Sequence, residues 1–287
     1  MHSDLIKYIR EKMPILSKSH KIIAQYITER PDSAAYLTAT KLGTVTGVSE
    51  STVVRFAIEL GYRGYPDMQK ALKDLIRTNM TSVQRVEAAN SIMSGSDTLS
   101  MVMNSDAEKI KLTLDEVRRE DFNRAVEMIT KAKNIYIIGI RSAYTLASFF
   151  SYYLNIILNN VTLLDMASVD EMFERLMWIS DEDVFIGISF PRYSKRTRAA
   201  IEFAKKKGAK ILALTDSESS PIAQSADCTL LAKSDMASFV DSLVAPLSII
   251  NALIVAVSLD RKDDLSRHLS ELEKIWDEYE VYEKTTN

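Results

Sequence analysis

Residues 47–65, GVSESTVVRFAIELGYRGY, read with the TATKLGTVT that leads into them (38–46), constrain this chain's fold more than any other segment. Two short helical patterns meet there at a tight turn. Leu42 and Val45 fall on the apolar face of the first, while Val53, Phe56, Ala57 and Leu60 recur at helical spacing on the second. Between them, Gly47 supplies the left-handed backbone that a sharp turn demands. Ser49 is placed to cap the second helix, its hydroxyl accepting an N–H that the first turn leaves unpaired. Gly43 leaves room for the second helix to cross close to the first. These features at these spacings make a helix-turn-helix, whose second helix presents its N-terminal side chains to the major groove of double-stranded DNA. Ser49, Ser51, Thr52 and Arg55 are the expected contacts to the groove and nearby phosphates, and Lys41 and Arg63 the expected contacts to the DNA backbone. An ordinary helical hairpin shares the turn glycine; in that case Arg55 would pair with Glu59 one turn on.

Charge favours the nucleic-acid reading. Residues 1–80 carry 12 Lys+Arg against 8 Asp+Glu, and the remainder carries 24 against 31, so the overall −3 hides a basic head on an acidic body. That asymmetry is expected when only one domain meets phosphates. The surplus is modest, which points to a homodimer or homotetramer that pools the contacts of several heads.

The composition, 46% hydrophobic and 26% charged, is that of a soluble globular protein with ample material for a core. The start, MHSDLIKYIREKMPILSKSH, is broken by charge every few residues and does not read as a signal peptide. The apolar stretch 243–259 contains Pro246, Ser248, Asn251 and Ser258 and reads as a buried core helix rather than a bilayer span. One cysteine, Cys228, excludes an internal disulfide, and the scattered His2, His20 and His268 give no metal-ligand spacing. A cytoplasmic protein with no membrane contact, no metal and no cofactor is the expectation.

At 287 residues the chain is long enough for two domains, or for one domain with a substantial appendage. Helices are expected over about 4–12, 17–29 and 66–77 around the helix-turn-helix, with Ile22, Ile23, Tyr26 and Ile27 on the buried face of the second and Pro66 opening the last. The Ser-, Thr-, Asn- and Met-rich residues 79–105 read as a linker between a head, 1–78, and a body, 106–287. In the body, apolar runs at 134–140, 161–165, 183–189, 209–215 and 226–232 read as buried strands, the earlier ones separated by helical segments at 142–158, 168–179 and 194–207. Such alternation argues for a parallel five-stranded sheet flanked by helices, an α/β body behind an all-α head.

Parallel sheets bind ligands at the carboxyl ends of their strands. The loops there hold Arg141 and Ser142 after the first strand, Ser189, Arg192, Tyr193 and Ser194 after the third, and Thr215 after the fourth. Hydroxyls and free N–H groups at helix N-termini receive anions, and arginine suits phosphate or carboxylate. Serines ahead of helices also serve simply as caps, loop arginines also serve as surface charges or subunit salt bridges, and Tyr193 could equally pack its loop. Leu146, Phe149, Phe150, Tyr153 and Leu154, with the apolar helix 240–259, carry more hydrophobic surface than one sheet face needs and suggest a dimer contact.

The whole chain resembles the RpiR/MurR family of bacterial transcriptional regulators, in which a helix-turn-helix domain is joined to a sugar isomerase (SIS) domain that senses a phosphosugar. The resemblance is carried by Leu16-Ser17, Ile23-Ala24 and Tyr26-Ile27, by the order of strands and loops after 134, and most specifically by VSESTVVRFAIELGYRGY. That segment is similar to the family pattern VS-x-x-T-x-x-RF-x-x-x-LG-[FY]-x-G-[FY]. The resemblance implies a DNA-binding regulator whose SIS domain senses a small anionic effector, a phosphosugar or similar. The sensor loops depart from the pattern. Arg141 stands for the second glycine of G-x-G-x-S and Ala143 for its serine. Ser189 and Ser194 match the ends of S-x-S-G-x-T, but Pro191 and Arg192 replace its middle serine and glycine, and Arg196 falls where an acid is common. These changes exchange hydroxyls and close-approach glycine for positive charge.

The alternative is a sugar-phosphate isomerase-like enzyme on the same fold. That chemistry needs a positioned general base and acid. Glu218 is the one carboxylate besides Asp216 near a strand end, and His268 lies in the C-terminal tail, so no Glu–His pair is legible.

Overall fold

The computed structural model describes residues 5–79, 81, 83–84, 86, 97–165, 169–235 and 240–283. The chain divides into two compact units, 1–85 and 86–287.

In the first unit, helices α1 (Leu5–Lys12), α2 (Lys18–Glu29), α3 (Pro31–Ala34), α4 (Ala39–Thr46), α5 (Glu50–Glu59) and α6 (Tyr65–Asn79) enclose one apolar core. Ile9, Ile23, Ile27, Leu42, Val53, Phe56 and Leu72 are its fully buried members. Ser17 caps α2, accepting from the His20 N–H. Two expected core positions lie outside: Ile22 is 43% and Val45 52% exposed. Both α2 and α4 bury only a narrow stripe, Ile23, Ala24 and Ile27 in one and Leu42 and Gly43 in the other. In the turn that follows, the half-buried Val48 packs against the core.

In the second unit, α7 (Thr98–Glu116) begins within the stretch expected to be linker. Asp97 caps it, accepting from the N–H groups of Leu99 and Ser100. The polar composition concealed a helix whose apolar Leu99 and Met103 face solvent, at 72% and 63% exposure. The remainder of the expected linker, 87–96, falls outside the described residues. Then follow α8 (Arg119–Lys131), β1 (Ile135–Gly139), α9 (Ser142–Leu158), β2 (Val161–Leu163), α10 (Val169–Arg175), β3 (Val184–Ile188), α11 (Lys195–Lys206), β4 (Lys210–Thr215), β5 (Cys228–Leu231), α12 (Val244–Asp260) and α13 (Lys262–Glu278). Helix α10 ends at Arg175, short of the expected 179.

All five strands pair in parallel in the order β2-β1-β3-β4-β5. Successive side chains alternate between two apolar cores, as strand geometry requires. Ile135, Ile137, Val184, Ile186, Leu212 and Leu214 face α8, α9 and α12. Ile138, Phe185, Ile211 and Ala213 face α10 and α11. Both faces are therefore covered, which explains the continuous apolar runs. Chain 243–259 is the core helix α12. Among the described residues no single helix is long and apolar enough to cross a membrane.

The apolar surplus expected on α9 is largely consumed by this core. Leu146, Phe150 and Leu154 are buried within the subunit and Phe149 is half-buried. Tyr152 and Tyr153 on α9, with Val255 and Leu259 on α12, keep substantial exposure.

Candidate functional site

In the head, α4 and α5 are joined by the turn the sequence demanded. Gly47 ends α4 at φ +69°. A Cβ at Gly43 would stand 2.8 Å from the Val48 carbonyl oxygen, so the missing side chain is what lets the turn fold back on α4. Ser49 caps α5, accepting from the Thr52 N–H at 3.2 Å, and its hydroxyl also lies 2.9 Å from that of Ser51 and 2.8 Å from that of Thr52. The capping network holds these three hydroxyls together at the entering end of α5.

Lys41, Ser49, Ser51, Arg55 and Arg63 are exposed and Thr52 is half-buried. Arg55 folds back along its helix, its Nε donating to the Ser51 carbonyl at 3.3 Å, beside a shallow hollow bounded by Glu50, Ser51 and Val54. It does not pair with Glu59. That carboxylate instead meets His20 Nδ1 at 2.5 Å, pinning α2 to the far end of α5. Arg63 lies 3.6 Å from Asp67, with its own side chain 91% exposed. One contact was not legible beforehand: Thr40 Oγ1 donates to Glu50 at 2.8 Å, tying the first turn of α4 to that of α5. The exposed end of α5 thus presents hydroxyls and one guanidinium.

The body's candidate loops lie where strand order reverses. The chain leaves β1 outward to β2 and returns to β3, so α9 and α11 leave from adjacent strand ends toward opposite faces. In sheets of this topology ligands bind at the carboxyl edge, beside such a reversal. Gly139 pairs with Ile188 across β1 and β3, bringing the two loops side by side.

Arg141 takes φ +61°, ψ −126°, a conformation rare for any residue with a side chain. It is the position at which the family pattern has glycine. No side chain caps α9 there, and the Tyr144 N–H bonds to the Arg141 carbonyl at 3.0 Å; amides left unpaired at a helix start favour anions. Arg141 and Ser142 are exposed. Ser189 is buried and accepts from the Ser194 N–H at 3.2 Å, and Ser194 caps α11 by accepting from the Thr197 N–H. Arg192 is exposed and Tyr193 half-buried. The Tyr193 hydroxyl donates to Asp216 at 2.9 Å, bridging the loops after β3 and β4. Thr215 is fully buried and donates to the same carboxylate at 3.3 Å, so it lies beneath the loops rather than among them. Asp216 was noted in the sequence only as a carboxylate near a strand end, and its tie to Tyr193 was not foreseen. Thr197, whose buried hydroxyl has no hydrogen-bond partner among the described residues, lies inside α11 and carried no local signal.

The head and body each match a family model. Residues 3–79 match the helix-turn-helix domain of the rpiR family, and residues 128–256 match the SIS domain. The chain belongs to the RpiR family of transcriptional regulators. Similar HTH-type regulators match along most of its length. The HTH-type regulator HexR of Escherichia coli K12 is 27% identical over 283 residues, covering 92% of each chain. An uncharacterized HTH-type regulator of Caldanaerobacter subterraneus is 25% identical over 280 residues, covering 95% of this chain and 97% of its own. Among solved structures, the sugar isomerase domain of an RpiR factor from Sphaerobacter thermophilus superposes at a TM-score of 0.58 with 28% identity, over 60% of this chain and 96% of that one. The Vibrio vulnificus NanR protein complexed with ManNAc-6P superposes at 0.61 with 21% identity, over 96% of this chain and 99% of that one, a likeness of fold.

Within this RpiR-family regulator, the groups an isomerase would need stand apart. Glu218 lies 3.7 Å from Arg118, and His268 Nδ1 lies 3.2 Å from the Ile156 carbonyl. Glu218 sits in the loop after β4 and His268 on α13, and the two do not pair with each other among the described residues. At the opposite, amino edge of the sheet a concavity is lined by Lys131, Lys133, Glu127 and Glu182, whose charges pair with one another at 2.5 and 2.7 Å.

Arg55→Ala is expected to weaken binding to a preferred duplex by about 1–3 kcal/mol and to reduce discrimination against random sequence. Gel-shift titration with both duplexes checks it. A folded variant that binds and discriminates as wild type does would remove Arg55 from the groove.

Proposed function

We propose that this regulator binds operator DNA as a homodimer and that its SIS domain senses a small anionic metabolite, a phosphosugar, at the carboxyl edge of the sheet. The observation that carries this reading is the juxtaposition at the β1/β3 reversal: Arg141 at the uncapped start of α9, beside the loop that holds Arg192 and the Ser189–Ser194 pair. Guanidinium groups and free helix amides suit the phosphate, and Asp216, oriented by Tyr193 and Thr215, suits a sugar hydroxyl. The exposed Tyr152, Tyr153, Val255 and Leu259 support a contact between two bodies. Effector would act by favouring one arrangement of the dimer and hence one spacing of the heads, to the extent that it binds that arrangement more tightly. A regulator that reads chromosomal DNA works in the cytoplasm.

The test is calorimetry of the full chain against a panel of hexose and amino-sugar phosphates, with light scattering confirming a dimer. A binder from the panel should lose at least about tenfold in affinity, 1.4 kcal/mol, in both Arg141→Ala and Arg192→Ala, and should shift the gel-shift midpoint. Undiminished affinity in both variants, with the dimer intact, would place the anion site elsewhere.

A further inference from the structure

The head carries a second surface of the right chemistry for a phosphate diester, on the flank of α4 rather than on α5. Tyr36 is 63% exposed although it sits between two helices, and the Lys73 ammonium from α6 lies 5.7 Å from its ring centroid. The pair is built onto the fold. The next carbonyl along the chain, Leu37, accepts from the Tyr65 hydroxyl at 2.6 Å and from Gln69 Nε2 at 2.7 Å. Burial pushes the Tyr65 pKa up to about 12, so that hydroxyl keeps the proton it donates. Gln69 and Lys73 are one turn apart on α6, so the anchor that holds the 36–38 segment also sets where the ammonium stands. Thr38 then caps α4, accepting from the Lys41 N–H at 3.2 Å.

The position of this surface follows from the Thr40–Glu50 bond. That bond holds the first turn of α4 beside the first turn of α5, the end that enters a groove. The start of α4, which Thr38 caps two residues after Tyr36, is thereby held close to the groove contacts. The Tyr36 hydroxyl makes no hydrogen bond among the described residues, and the Lys73 ammonium is held over the ring face without a carboxylate partner among them. Two donors, one charged, are thus fixed side by side on an exposed flank, with Lys41 and the Thr40-bound Glu50 exposed on the adjoining turns.

We infer that Tyr36 and Lys73 form a phosphate clamp that grips the DNA backbone beside the groove entered by α5. This rests on the DNA-binding reading of the head and extends it to a surface outside the helix-turn-helix. The clamp positions and does not read sequence, so its loss should weaken every duplex alike.

Binding is measured by fluorescence anisotropy for the full chain, at a series of salt concentrations. The probes are a duplex selected from a randomised pool and a scrambled duplex of the same composition. For Lys73→Ala the slope of log affinity against log salt should become shallower by about 1 per bound head, about 2 for a dimer, with both duplexes weakened by a similar factor and their ratio unchanged. Tyr36→Phe keeps the ring beneath Lys73 and should lose several-fold in affinity with the slope preserved. Lys274→Ala, the same charge change on α13, should alter neither. Wild-type slope and affinity in Lys73→Ala and Tyr36→Phe, while Arg55→Ala still loses discrimination, would overturn the clamp and leave the groove assignment standing. Absence of salt-dependent binding by wild type would instead overturn the DNA reading and the clamp together. A change confined to oligomeric state in light scattering would also overturn the clamp, by making this flank a contact between copies.

Discussion

Phe56→Ala is expected to abolish DNA binding while leaving the sensor unit folded. Phe56 is fully buried at the centre of the head and meets the His20 ring edge-on at 5.5 Å. Around it lie Leu42, Val53, Ala57 and Leu60, so truncation opens a cavity under both helices of the DNA-reading motif. Such truncations cost about 3–5 kcal/mol. A head of this size has a total stability of comparable order. The sensor has its own two cores, to which Phe56 does not belong. Scanning calorimetry should show the head's transition lost or strongly lowered and the sensor's in place. A single transition that moves as one would mean that the two units are not separately stable.

Gly139→Ala should have the largest effect in the sensor. An added Cβ would stand 2.3 Å from the Ala143 carbonyl oxygen, 2.7 Å from its carbon and 3.0 Å from the Ala147 Cβ. Two of the three obstacles are backbone, so either β1 or the start of α9 must shift. Overpacking of this kind costs about 1–3 kcal/mol. The turn that shifts also carries Arg141 and the uncapped amides, so phosphosugar binding should disappear along with several degrees of melting temperature. Gly187→Ala gives the contrast. Its methyl would meet the tip of Ile201 at 2.5 Å, a side chain that can swing aside. Thermal melts of the two variants should rank Gly139→Ala well below Gly187→Ala, and the reverse ranking would show that the crossing of α9 over β1 tolerates adjustment.

What was legible in the sequence was local. The α4–α5 turn rests on residues adjacent in the chain, Gly43, Gly47 and Ser49, and each occupies the position its chemistry requires. The strands were legible because burial on both sheet faces leaves unbroken apolar runs. The start of α7 was not, since its cap is one aspartate and its first apolar residues face solvent. Val45 and Ile22 were misassigned to the core for a related reason: helical spacing identifies a face but not its width.

The candidate sites divide in the same way. Hydroxyls ahead of helices could be found by eye, and Ser49 and Ser194 do cap α5 and α11. Which hydroxyls remain for a ligand could not, because that depends on partners distant in sequence. Asp216 accepts from its neighbour Thr215 and also from Tyr193, and only the folded sheet brings Tyr193 to that pair. Likewise the Thr40–Glu50 tie and the Tyr36–Lys73 pair join residues of different helices, a relation no periodicity records.

The strand order also sets a schedule for synthesis. Ile135 is paired with Val184, and β4 must add at Lys210 before the centre of the sheet is closed on both sides. The head's core, by contrast, is complete by Ile76 and is built from short-range helical contacts, which form faster than pairings between distant segments. As domains emerge from the ribosome in order, the helix-turn-helix head matures while the SIS unit is still being translated. In each new copy of this regulator, the part that meets DNA is finished before the part proposed to govern it.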